Sequence, residues 1–304
     1  MQLAKIILFT YARPWHTRQT IDALKLNFLA SESDLIIYSD ASPAENVLDS
    51  VVELREYLKT ISGFRSVEIR FREENFGLSR SIIEGVSEVL KMCDRIIVLE
   101  DDMVTSPYFL RFMNEALDKY SEDERIIGIH GYTYPVKERL PEAFFLLGAD
   151  CWGWATWRRG WELFNADGKF LLDELRKKDL LDYYDFNGAY PYSKMLEGQT
   201  IGKNDSWAAR WYASALLAGK LTLHSGRSLV HNIGFDNSGT HCGDTNIFDV
   251  HVSDRPVSLD NIVVTNSVDS RMRIENFLRK TYSISWAELV FQRLKSYCLH
   301  EKNN

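Results

Sequence analysis

Residues 95–107 read RIIVLEDDMVTSP, an apolar run that ends on three successive acids, Glu100, Asp101 and Asp102. Carboxylates crowded at the end of a buried strand disfavour one another's ionisation, and a bound divalent cation removes that cost. Hard oxygen ligands suit Mg²⁺ or Mn²⁺, which bind through one or two carboxylates while substrate phosphates and water complete the octahedron. The plainer alternative is a solvated turn in which Asp101 or Asp102 caps the next helix. A second cluster lies in REENFGLSRSI at 72–82, where Asn75 and Gly77 make a turn after a strand. Gly77 would let backbone approach a ligand closely, and Arg80, in the first turn of the next helix, would contact a phosphate or sugar. An ordinary strand-to-helix turn is again the alternative. Neither a GxxxxGK loop nor GxGxxG occurs, so the usual phosphate-binding loops are not indicated.

The elements that must position these groups follow from periodicity. AKIILFTY, DLIIYSD, SVEIRFR and RIIVLE are β-branched runs, and the stretches between them carry apolar residues at helical spacing, for example Leu78, Ile82, Val86 and Val89. That alternation is the pattern of an α/β parallel sheet. Ligands gather beyond the carboxyl ends of such strands, and those ends carry Thr10, Tyr11 and Arg13, then Asp40, then Glu100 to Asp102. Ser106 and Pro107 predict a helix start, with Ser as N-cap, leading into YFLRFMNEALDKY. RIIGIH at 125–130 is a further strand, and SWAARWYASALLAG a further helix. Beyond residue 105 the alternation is irregular, so 1–105 reads as a nucleotide-type half and 106–265 as a substrate half of one domain. Residues 266–304 read as a helical extension that packs on the domain or touches an anionic membrane surface.

The 304 residues carry a formal net charge of -7. That balance argues against nucleic acid as a partner, because phosphate contacts need surplus Lys and Arg. Cys93, Cys151, Cys242 and Cys298 show no CxxC spacing, which suits a reducing compartment. MQLAKIILFTYARP lacks the features of a signal peptide, so a cytoplasmic protein is expected, at most peripheral to the inner face of a membrane.

Taken together, the strand ending in Glu-Asp-Asp, the earlier strand ending in Asp40 and the Asn-x-Gly turn before a helix resemble a glycosyltransferase of the GT-A fold. The resemblance is to the N-acetylglucosaminyltransferase I type and to bacterial family 2 sugar transferases. It continues in order through FFLLGADCWGWATWRRGWE, NDSWAARW and SLVHNIGFDNSGTHCGDTNIF, over roughly residues 4–250. It implies an α/β fold with a mostly parallel central sheet flanked by helices. It further implies that Asp102 ligates Mn²⁺ or Mg²⁺, that Asp101 or Glu100 contacts ribose or donor sugar, that Asp40 reads uracil, and that Thr10 to Arg13 line the nucleotide. The family's base is the second Asp of Trp-Asp-Asp-Trp. Here Asn204, Asp205, Ser206 and Trp207 stand instead, so the base role passes to Asp205, which could equally be a helix cap. Trp154, Trp207 and His241 would belong to a lid over donor and acceptor, whereas the other tryptophans of the 152–161 stretch, and His231, read as packing or loop residues. The implied reaction is sugar transfer, with inversion, from a nucleotide sugar to a saccharide or lipid-linked acceptor in surface polysaccharide assembly. UDP, as in UDP-GlcNAc, leads among the donors. A sugar-1-phosphate nucleotidyltransferase and a non-catalytic carbohydrate-binding protein are the alternatives. The first should show a glycine-rich basic loop after the first strand, and FTYARPWHTRQT has no glycine.

Overall fold

The computed structural model describes residues 3–43, 47–238 and 245–282. The chain opens with β1 (Lys5–Thr10), α1 (Pro14–Lys25), β2 (Asp34–Ser39), α2 (Leu48–Leu58), β3 (Ser66–Phe71), α3 (Gly77–Leu90) and β4 (Arg95–Glu100). These four strands pair in parallel in the order β3, β2, β1, β4. β1 and β4 read as continuous apolar runs because both of their faces are covered. Ile6, Leu8, Ile97 and Leu99 face α1, α2 and a later helix, whereas Ile7, Phe9, Ile96 and Val98 face α3.

The second half continues the same sheet. It comprises β5 (Met103–Thr105), α4 (Phe109–Lys119), β6 (Ile126–His130), β7 (Ala143–Leu147), β8 (Trp154–Trp157) and α5 (Arg158–Trp161), then α6 (Gly168–Lys177), α7 (Leu181–Tyr184), α8 (Tyr192–Thr200), α9 (Trp207–Leu217), β9 (Leu221–Ser225) and β10 (Val230–Asn232). The 8-stranded sheet runs β3-β2-β1-β4-β8-β6-β9-β7, and β5 pairs with β10 apart from it. The expected α/β class, with a large central sheet flanked by helices, is what the chain adopts. β8 is antiparallel to both of its neighbours, with Trp154 opposite Val98 of β4 and His130 of β6. Its beginning therefore lies at the edge where β4 and β6 end. A further helical layer, α6 to α9, packs on β7 through Leu171, Leu175, Leu196 and Leu216.

Two local expectations change. The cap of α4 is Tyr108, and Ser106 instead accepts from the Tyr108 amide and donates to the Ser253 carbonyl. Residues 268–282 are helical, and Ile274 and Leu278 are buried in the helical layer. Packing on the domain thus accounts for that apolar face, and the membrane alternative has no support there. The rest of the extension lies outside the described residues. Among the described residues no helix is long and apolar enough to cross a membrane.

Candidate functional site

β1 and β4 are neighbours while the chain leaves them on opposite sides, β1 towards β2 and β4 towards β8. Such a switch point opens a crevice at the carboxyl ends of the strands. Arg13 enters it from the first residues beyond β1, after Ala12 has taken a left-handed φ of 48°, a conformation costly for a residue with a β-carbon. Its guanidinium donates to Asp101 and, at 2.8 Å, to Asp102 Oδ2. The Tyr11 amide donates to Asp101 Oδ2 at 3.1 Å, and the Thr20 hydroxyl holds the Asp101 carbonyl at 2.8 Å. Each carboxylate oxygen of Asp101 is thereby held by the chain. Burial, then the charges of Asp102 and Asp101, push the Glu100 carboxyl above its ordinary value.

Asp102 differs from its neighbour. Its Oδ1 is buried and has no hydrogen-bond partner, a costly state for a carboxylate oxygen. On its other side, a β-carbon added to Gly234 would come 2.2 Å from Oδ2, so only glycine lets the chain after β10 lie against this carboxylate. The Ile233 amide donates to the Asp102 carbonyl at 2.9 Å. Two residues beyond Gly234, Asp236 pairs with His16 Nε2 of α1 at 3.0 Å. An orphaned hard oxygen beside a crowd of carboxylates fits Mg²⁺ or Mn²⁺. Among the described residues no three His, Cys, Asp or Glu side chains converge on one point.

Asp40, Asn75 and Gly77 come together as predicted, but to build a turn. Asp40 accepts from the Ala41, Phe76 and Gly77 amides, each at 2.9 Å, and from the Asn75 side chain at 3.3 Å. A carboxylate offers about four lone-pair sites, and these bonds use them. Asp40 is thus without a free acceptor for a base. Gly77 has a φ of +69° with nothing within 4 Å of an added β-carbon, so its conformation, not a close approach, demands glycine. Thr10 likewise spends its hydroxyl on the Tyr38 carbonyl at 3.0 Å. Arg80 is 48% exposed and bonds Glu84 at 2.7 Å and Glu74 at 3.2 Å; its charge is answered by its own helix and the preceding turn.

Arg72, just beyond β3, is a candidate the sequence reading missed. It lies between the rings of Tyr38 and Phe76, at 4.8 and 4.5 Å, and its buried Nε and Nη2 have no partner. The carboxyl-end rule applied to β3, as it was to β1, β2 and β4, would have found it.

Asp205 is not the cap of α9; Ser206 fills that place by accepting from the Ala209 amide at 3.2 Å. The Asp205 side chain is 66% exposed and bonds Arg210 at 2.7 Å, and that buried guanidinium also donates to Ser79 of α3 at 2.6 Å.

The two tryptophans expected in a lid are core residues. Trp154 and Trp207 are 2% and 3% exposed, with tilted rings whose centroids lie 5.5 Å apart, and Trp154 also meets Trp161 and Trp211 at 5.7 Å in the same core cluster. β8 is a sheet strand, and its alternation sends Trp154 inward. Trp154→Ala is expected to cost about 3–5 kcal/mol of stability by opening a cavity, read from urea unfolding, while a lid residue would leave stability unchanged. Trp152, before the strand, is the half-buried one, meeting Tyr132, Phe235 and Phe248 edge-on. His231 lies in β10 and accepts from the Val250 amide at 3.3 Å. His241 lies outside the described residues.

No protein-family model matches the chain, and no curated protein matches it. Among solved structures, a 1–349 portion of S. aureus TarS is similar at 11% identity and a TM-score of 0.43, over 76% of this chain and 60% of that one. Glucosyl-3-phosphoglycerate synthase from Mycobacterium tuberculosis, in complex with Mn²⁺, UDP and glucosyl-3-phosphoglycerate, is similar at 12% identity and a TM-score of 0.33, over 59% of this chain and 67% of that one. A cytidylyltransferase from Leptospira borgpetersenii is similar at 13% identity and a TM-score of 0.30, over 53% and 63%. The chain spans 36% of the longer TarS chain it matches.

Proposed function

We propose that the chain is a metal-dependent glycosyltransferase of GT-A type, moving a sugar from a nucleoside diphosphate to a saccharide or lipid-linked saccharide, with inversion. The donor proposed is a UDP-sugar, UDP-GlcNAc foremost, and the setting is surface polysaccharide assembly. The observation that carries the reading is the Asp102 carboxylate, with one oxygen bound by Arg13 and the other buried without a partner, at the switch point of the sheet.

Each role follows from what its side chain has left to give. Asp102 holds the cation through Oδ1, with Glu100 beside it. The cation, when bound, supplies the positive charge that a departing diphosphate needs. Arg13 fixes both aspartates so that Oδ1 is presented without reorganisation. Arg72 brings unspent donors and a charge to the nucleoside side of the crevice, next to the turn that Asp40, Asn75 and Gly77 build. Tyr11 lines the same side; burial, then the charge of Asp40, raise its hydroxyl above the usual value. The chain after β10, held by Gly234 on Asp102 and by Asp236 on His16, covers the diphosphate position.

Thermal unfolding of the protein with UDP, GDP, CDP and their sugars, each with and without Mn²⁺, tests the proposal. A ligand at 100 times its Kd adds about 2.7 kcal/mol of stability. A UDP shift that requires Mn²⁺ is expected. If no nucleotide shifts the transition with metal present, the site assignment and the function fall together.

A further inference from the structure

We infer that Asp150 is the carboxylate that takes the acceptor's proton, and that the acceptor saccharide lies on the half-buried aromatic surface of Tyr134, Trp152, Tyr190 and Tyr192 around it. This rests on the donor reading above and adds to it a base and an acceptor surface.

The placement comes from β8. Because Trp154 pairs with Val98, the preceding residues 150–153 pass over the end of β4, where Glu100 to Asp102 begin. The Gly153 carbonyl accepts from the Gly131 amide at 2.8 Å, tying this loop to the end of β6 as well. Trp152 meets Phe235 at 5.4 Å between ring centroids, and Phe235 follows the glycine that lies on Asp102. Asp150 and the proposed metal ligand thus share one edge, reached from two elements.

The surroundings leave Asp150 a carboxylate without a cation. Its side chain is 19% exposed, and its Oδ1 accepts from the Cys151 amide at 2.8 Å. His130 Nε2 approaches to 3.6 Å, but that nitrogen accepts from the Trp152 amide at 3.2 Å, so the ring proton is on Nδ1, 3.2 Å from Nδ1 of His224. Burial holds both imidazoles down to about 3, hence neutral. The other titratable groups set against Asp150 are Tyr132, Tyr134, Tyr192, Tyr212, Cys151 and His224, and none of them is a lysine or arginine. Burial raises the Asp150 carboxyl above its ordinary range, while His224 and then the Cys151 and Tyr134 hydrogen bonds work against it. Asp205, by contrast, is exposed and tied to Arg210.

The aromatic groups supply the acceptor surface. Tyr190 and Tyr192 lie 4.4 Å apart by ring centroid, and Tyr132 links Tyr134 and Trp152 at 5.3 and 4.6 Å. Half-buried rings with polar edges around the Asp150 carboxylate match a sugar's apolar face and its hydroxyls. In the transfer, an acceptor hydroxyl gives its proton to the Asp150 carboxylate, and its oxygen forms the bond to the donor's anomeric carbon. The bond from that carbon to the β-phosphate oxygen breaks, and its electron pair leaves with the nucleoside diphosphate. A merely structural Asp150 would be served equally by Asn, which keeps the bond from the Cys151 amide and loses only the basicity.

The test is release of nucleoside diphosphate from the sugar donors of the unfolding panel with Mn²⁺, first with water and then with methyl glycosides of glucose, galactose and N-acetylglucosamine as acceptors. Asp150→Asn is expected to slow release by about 10²-fold or more, with the Mn²⁺-dependent nucleotide shift kept. Release within threefold of wild type from a folded Asp150→Asn, or loss at Asp205→Asn instead, overturns the assignment while the donor reading stands. No release by wild type from any donor overturns both. Should Asp150→Asn unfold, Trp152→Leu decides: a tenfold or larger rise in KM for the methyl glycoside that speeds release, at unchanged donor KM, supports the surface. An unchanged acceptor KM, or no acceleration by any glycoside, overturns it.

Discussion

Asp102→Asn is expected to weaken Mn²⁺-dependent nucleotide binding by on the order of 10²-fold or more, since even groups that only support a metal ligand cost 10- to 100-fold when removed. The same change should leave the melting temperature of the unliganded protein equal or higher. Asn removes a negative charge whose Oδ1 is buried without a partner, while Arg13 keeps Asp101. Function and stability would therefore move in opposite directions. Titration of UDP into wild type and variant with Mn²⁺ present, alongside a thermal scan without it, reads both. A variant that binds as wild type does would remove Asp102 from the site, and one that melts far lower would show that its charge is structural.

Arg13→Ala is expected to act on the fold itself. Arg13 is 18% exposed and answers two carboxylates that are themselves almost wholly buried. Removing one partner of a buried pair costs roughly 3–5 kcal/mol because it strands the charge left behind. Here two charges are stranded in neighbouring residues, with Glu100 beside them. Added Mn²⁺ should restore part of the loss, as a cation replaces the missing guanidinium, whereas it should do little for wild type without nucleotide. Urea unfolding of the variant with and without Mn²⁺ measures both effects. A cost below about 1 kcal/mol would mean that water, not Arg13, compensates the aspartates.

The first half of the sheet was legible in the sequence for a physical reason. β1, β2 and β4 lie between two covered faces, so their residues are apolar without interruption; RIIVLE coincides with β4, and the other early strands end within a residue or two of their runs. β7, β8 and β9 sit where antiparallel and parallel pairing mix, in a stretch rich in aromatic residues, and there composition overrides period. That gap propagated into the site. Without β8 as a strand, Trp154 could be taken for a binding residue, and Asp150, four residues before it, carried no signal at all. That Asp101, Asp102 and Arg13 meet at one sheet edge needed only the rule that ligands gather beyond strand ends. The contact of His16 with Asp236 spans 220 residues, beyond any local pattern. For Asp40 spacing shows where the carboxylate stands but not how many amides already point at it.

The insertion of β8 between β4 and β6 bears on how this chain could be divided. Residue 105 separates two halves by composition, yet a polypeptide cut there would leave β4, a strand apolar on both faces, with an open edge of unpaired amides and carbonyls. Such an edge recruits other strands, and a fragment of the first half would be expected to aggregate rather than fold as an autonomous nucleotide-binding module. Any exchange of halves would need to carry β8 with the first half, or graft only the loops around it. The seam in the sequence is not the seam in the molecule.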